Sequence, residues 1–70
     1  MEQEYQVGLI SIEGGYTAYG PFTVKADNVF NAIEAAFMQY GIPYIHNTMI
    51  AVQLPDSPIV LKFEYAMAWN

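Results

Sequence analysis

The side chains able to do chemistry are few and widely spaced. His46 is the sole imidazole, just past the Gly41-Ile42-Pro43 break, and a general base there needs a positioned nucleophile or acid beside it. Ser11 falls inside a β-rich segment and Ser57 in a turn, so no triad assembles around the histidine. Among the carboxylates, Glu2 and Glu4 stand near the amino terminus, Glu34 belongs to the outer face of an expected helix, and Asp27 is accounted for as a helix cap. Cysteine is absent, which removes disulfides and thiolate ligands, and one histidine without a second nearby ligand does not make a structural zinc site. The expectation is a protein that is not an enzyme, with no catalytic, cofactor-binding or metal-binding residues.

The stretch Gly14-Gly15-Tyr16-Thr17-Ala18-Tyr19-Gly20 invites two chemical readings, and neither fits. A phosphate loop needs a helix amino terminus and usually a lysine directly after the glycines, whereas a strand is expected here. A base-stacking strand needs aromatics two apart on one face beside basic residues. Tyr16 and Tyr19 are three apart and alternate to opposite faces. The stretch reads as a hairpin turn flanked by β-favouring tyrosines.

Composition narrows the partners. Seven acids against two bases, Lys25 and Lys62, give a net charge of -5. No basic stripe is available to neutralise phosphates, which argues against direct nucleic-acid binding and against an anionic membrane surface. The start Met1-Glu2-Gln3-Glu4 is acidic where a signal peptide carries positive charge, and no apolar run approaches the roughly 18 residues of a membrane span. A cytoplasmic location is expected. With 54% hydrophobic and 13% charged residues the chain is far from the composition of disordered segments. At 70 residues it is one small domain over 1–70. So short a chain buries only roughly 60% of its unfolded surface, and small scaffolds without staples often gain stability by associating.

Hydrophobic periodicity changes from 2 to 3.6 and back to 2, which predicts a β-β-α-β-β order. Residues 5–13 are rich in β-formers, Gly14-Gly15 suits a two-residue type I′ turn, and a second strand runs from Tyr16 to about Lys25. That turn sets Ile12 opposite Thr17 and Ile10 opposite Tyr19 on one face, with Val7, Leu9, Ala18, Phe22 and Val24 on the other. Pro21 removes a ladder donor and makes this an edge or bulged strand. Asp27 is the expected N-cap and Gly41 the C′ residue, with Ile42 placed for a closing hydrophobic contact. Between them Val29, Ala32, Ile33, Ala36, Phe37 and Tyr40 form one apolar stripe, with Asn28, Asn31, Glu34, Ala35 and Gln39 opposite.

A third strand is expected over Thr48–Leu54, then a turn at Pro55-Asp56-Ser57-Pro58. From Ile59 the alternation places Ile59, Leu61, Phe63, Tyr65, Met67 and Trp69 towards the helix and Val60, Lys62, Glu64, Ala66 and Ala68 away from it. The fold class is α+β, a four-stranded sheet with one helix on one face. A right-handed crossover would set the first and fourth strands side by side in the middle. In element order alone this resembles the β-grasp arrangement of small immunoglobulin-binding domains, and no shared motif carries a function with it.

The face away from the helix is the expected functional surface. It is assigned Ile10, Ile12, Thr17, Tyr19, Met49, Ala51, Gln53, Val60, Lys62, Glu64 and Ala66, more apolar than an open sheet face in water usually is. Tyr16 and Tyr19 are the aromatics expected outside, as interface anchors. The partner interface is therefore read as Ile10, Ile12, Tyr16, Tyr19, Met49, Val60, Lys62 and Glu64. Two function classes fit. One is a non-enzymatic interaction module, such as an inhibitor, adaptor or dimeric accessory factor, that binds another protein or a second copy of itself through the open face or an edge strand. The other is an acidic decoy for the basic site of a nucleic-acid-binding enzyme, of the kind that phage-encoded anti-defence or anti-restriction proteins provide. The dispersal of the carboxylates weighs against the decoy, because duplex DNA presents a charge about every 1.7 Å.

Overall fold

A computed structural model describes residues 1–64 and turns the changes of periodicity into five elements: β1 (Gln3–Ser11), β2 (Thr17–Ala26), α1 (Val29–Tyr40), β3 (Thr48–Gln53) and β4 (Val60–Glu64). Element order and class are those the sequence predicts. The positions expected for Tyr65, Ala66, Met67, Ala68 and Trp69 lie outside the described residues.

The strands form one antiparallel sheet in the order β2-β1-β3-β4. This corrects the expected adjacency of the first and fourth strands, and with it the β-grasp placement. The reason lies in which segment can be buried on both faces. In β3, Ile50, Ala51 and Val52 are all buried, so it takes the place beside β1. Strand β4 alternates in Lys62 and Glu64, which suits an edge.

The helix ends are built from local chemistry. Asn28, not Asp27, is the N-cap: its backbone is extended and its Oδ1 accepts from the Asn31 amide at 2.9 Å. Asp27 instead lies 3.6 Å from the amino-terminal nitrogen, both groups exposed. Gly41 closes the helix at φ 58°, donating its amide to the Phe37 carbonyl at 3.1 Å. Ile42 then turns into the core. The stripe packs against β2 most closely and β1 next. Its deepest members are small: Ala32 and Ala36 are fully buried with Ile33 beside them, Val29 and Phe37 are half-buried, and Tyr40 stays largely exposed. On the sheet side the core consists of Tyr5, Val7, Leu9, Val24, Ala26, Ile50 and Val52.

The first hairpin departs from the expected two-residue turn. From Gln3↔Ala26 to Val7↔Phe22 the register is the one a Gly14-Gly15 turn dictates, but it shifts at Leu9↔Tyr19 and again at Ile10↔Thr17. Each shift is a bulge that places one extra residue on β2. First Gly20 and Pro21 together oppose Gly8, and then Ala18 is the extra residue. The closing bond is Ser11 N–H to Tyr16 C=O at 2.8 Å, so the loop is longer than two residues. The glycines make the bulge possible. Gly20 sits at φ 85°, a conformation rarely open to side chains, and a Cβ on Gly8 would lie 2.7 Å from the Tyr19 carbonyl oxygen.

Candidate protein-interaction face

The face opposite the helix is assembled from alternate residues of four strands: Gln6, Gly8 and Ile10 from β1, Thr17 and Pro21 from β2, Met49, Ala51 and Gln53 from β3, and Val60, Lys62 and Glu64 from β4. Among the described residues no element lies across it. At its centre is a concavity of about 150 Å³ lined by Gln6, Gly8, Leu9, Ile10, Thr17, Pro21, Ala51, Gln53 and Val60. The hollow exists because Gly8 has no side chain and Ala51 only a methyl; Ile10, Pro21 and Val60 give it aliphatic walls, and Gln6, Thr17 and Gln53 polar ones. Charged groups stand near it: Glu4 pairs in register with Lys25 towards one end of the face, and Lys62 is in register with Ala51 on the β4 side.

The eight residues expected at the interface fall into three groups. Ile10, Met49, Val60, Lys62 and Glu64 share the open face. Ile10 pairs with Met49, both half-buried, and Val60 is 43% exposed. Ile12 and Tyr16 belong to the hairpin loop instead of the sheet face, because β1 ends at Ser11 and β2 begins at Thr17. Both remain exposed, Ile12 at 56% and Tyr16 at 66%. Tyr16 lies over Gly14, where a Cβ would come within 2.6 Å of its ring.

Tyr19 is the correction. The first bulge rotates it onto the helix side opposite Leu9, half-buried, with its ring centroid 5.6 Å from Phe22. Phe22 in turn stacks on Tyr40 at 4.3 Å, and the Tyr40 hydroxyl donates to the Thr23 carbonyl at 3.2 Å. Tyr19 is thus part of an aromatic column that ties the helix to β2, not an outward anchor.

His46 is exposed and lines a second depression of about 380 Å³ with Ile12, Tyr44, Asn47, Thr48, Met49 and Glu64. Glu64 is the one carboxylate there. A third hollow, about 430 Å³, lies between Glu4, Gln6 and the β3–β4 turn, where Asp56 takes φ 51°. Among the described residues no three side chains of histidine, aspartate or glutamate converge as a metal site would require. No helix among them is long and apolar enough to cross a membrane. Sequence reasoning missed Pro21 and Gly8 as parts of the open face. The signal was present in Pro21, whose lack of an N–H had already required an edge or a bulge.

Searches against protein-family models, curated proteins and solved structures return no match for this chain.

Proposed function

We propose that the chain is a small acidic protein–protein interaction module, without enzymatic activity, acting in the cytoplasm as an inhibitor, adaptor or accessory factor. The observation that carries the reading is the apolar concavity at the centre of the open sheet face, floored by Gly8 and Ala51 and flanked by Ile10, Pro21 and Val60. A partner side chain seated there exchanges water for aliphatic contact at the middle of a broad strand surface, where hot spots concentrate. The surrounding charge is negative overall, so the partner surface is neutral or basic.

The acidic decoy remains the competing reading. Its carboxylates are spread over separate elements: Glu2 just before β1 and Glu4 within it, Glu13 in the hairpin loop, Asp27 before α1, Glu34 on α1, Asp56 in the β3–β4 turn and Glu64 on β4. Affinity capture with the wild-type chain and with Ile10→Glu, each in low and high salt, separates the two. Apolar docking predicts a partner that survives high salt and is lost with Ile10→Glu. A partner released by salt and indifferent to Ile10→Glu would overturn it in favour of the decoy.

A further inference from the structure

The charges of the chain are divided unevenly between its surfaces. Of the seven carboxylates only Glu4 and Glu64 stand on strands, and both lysines, Lys25 and Lys62, stand there too. Each of the four is next in sequence to a residue of the helix side, Tyr5, Val24 or Phe63, so all four point to the open face. That face is therefore neutral, while Glu2, Glu13, Asp27, Glu34 and Asp56, outside the strands, hold a charge equal to the whole net -5. The four strand charges are exposed, and among the described residues none of them makes an ion pair within the chain. A strongly basic partner is matched by a face with carboxylates in excess. A neutral face with both signs at fixed places matches a surface bearing the same pattern, and a second copy bears it. Copies approaching by their other surfaces bring like charge together.

The ladder register fixes where the signs lie. Lys25 is the Cα partner of Glu4, at the corner where β1 begins and β2 ends. Ile10, Met49 and Glu64 share a row near the far end of β1, which puts Glu64 at the diagonally opposite corner. From Lys25 the next charge inward, Glu4, is one strand across, about 4.8 Å away; from Glu64 the next inward, Lys62, is two residues back along the strand, about 6.8 Å. The outer charge is positive at one corner and negative at the other.

We propose that a second copy of this chain covers the open face, the two sheets packed face to face and nearly at right angles about a two-fold axis that crosses the hollow from Pro21 to Val60. This rests on the open face as the interaction surface and names its occupant. Such an axis exchanges the two corners. Glu64 then lies over the partner's Lys25 and Lys62 over the partner's Glu4, each contact made twice by symmetry. The inner charge is displaced across the strands at one corner and along the strand at the other, so the match requires strands that cross near 90°, one of the two angles at which sheets pack. Val60 and Pro21, beside the axis, meet their own copies, apolar against apolar. The other two-fold placements fail. An axis along the strands sets Lys62 over Pro21, and one across them sets it over Val60, a charge on an apolar wall in either case. An axis along the diagonal sets Lys25 over Lys25 and Glu64 over Glu64, and like charges directly opposite are destabilising.

The test is light scattering over a concentration series, with circular dichroism to confirm that each variant folds. The wild type is expected to reach the dimer mass. Lys62→Glu turns two contacts repulsive and is expected to weaken the dimer about tenfold or more. Adding Glu4→Lys to it restores the attraction and is expected to recover the dimer. Lys62→Glu with Glu64→Lys, which merely swaps the charges within β4, makes all four contacts repulsive and is expected to be weaker than Lys62→Glu alone. Recovery by that β4 swap would overturn the proposal, as would a dimer indifferent to Lys62→Glu or one that Glu4→Lys fails to restore. A wild type monomeric at every concentration would also overturn it, removing the second copy as occupant while leaving the open face as the interaction surface. That broader reading falls on a different result, a captured partner that Ile10→Glu still retains.

Discussion

On the β2 flank of the sheet Val24 and Ala26 are buried under the helix, and the column Tyr19–Phe22–Tyr40 seals the margin. On the helix side of the β4 flank Leu61 and the preceding Ile59 are exposed, and Phe63 is half-buried against a Phe30 that itself faces solvent. Both flanks are amphipathic strands, so the difference does not come from hydrophobicity. It comes from chain connectivity. Only Asp27 and Asn28 separate β2 from α1, so the helix must fold back over the strand it has just left. One helix cannot cover four strands, and the uncovered apolar area falls on the strand furthest from that short connection. In a chain this small, the order of elements decides which apolar surface is covered and which stays exposed.

Five substitutions break or sharpen this contrast. Leu9 is fully buried at the helix side of β1, and Leu9→Ala is expected to cost about 2–5 kcal/mol by denaturant unfolding; a loss below 1 kcal/mol would mean the covered flank is not the main core. Ala36, also fully buried, holds the helix close to the sheet, so Ala36→Leu should destabilise by about 1–3 kcal/mol through overpacking. A stabilised Ala36→Leu would show that the helix has room to lift. Asn28→Ala removes the bond to the Asn31 amide and is expected to cost about 1 kcal/mol, whereas Asp27→Ala should stay within about 0.5 kcal/mol. The reverse ranking would return the cap to Asp27. Leu61→Ala on the open flank is expected to cost less than about 1 kcal/mol in dilute, monomeric protein. If it matches Leu9→Ala, the two flanks are energetically alike and the contrast fails.

The parts legible in the sequence are those fixed by neighbours in the chain. The helix stripe, its glycine ending with Ile42 turned inward, and the alternation in β3 and β4 follow from periods of 3.6 and 2 and from glycine chemistry. The first-hairpin register was legible over Gln3–Val7 and lost beyond it. A bulge is one extra residue without a distinctive period; the first moved Tyr19 to the opposite face, and the second returned Thr17 to the face where alternation had put it. Helix capping was displaced by one residue because Asp27 and Asn28 are both good caps, and the extended conformation of Asn28 chose between them. Strand order was not legible, since it depends on which segment wins burial on both sides, a competition among segments distant in the chain. Of the open face, the contributions of β3 and β4 were legible and the hollow was not. The hollow depends on how closely the β2 bulge approaches Gly8.

That approach bears on how the hollow can change over many generations. Filling it from within would take a larger residue at position 8, yet a single methyl there already runs 2.7 Å from the Tyr19 carbonyl oxygen and 3.1 Å from the Pro21 Cα, backbone atoms that move only if the bulge is rebuilt. Point mutation at Gly8 therefore injures the scaffold before it closes the socket. The rim is made by side chains instead, among them Ile10, Thr17 and Val60. A hollow whose floor is fixed by backbone contacts keeps its place on the face even when the side chains around it change.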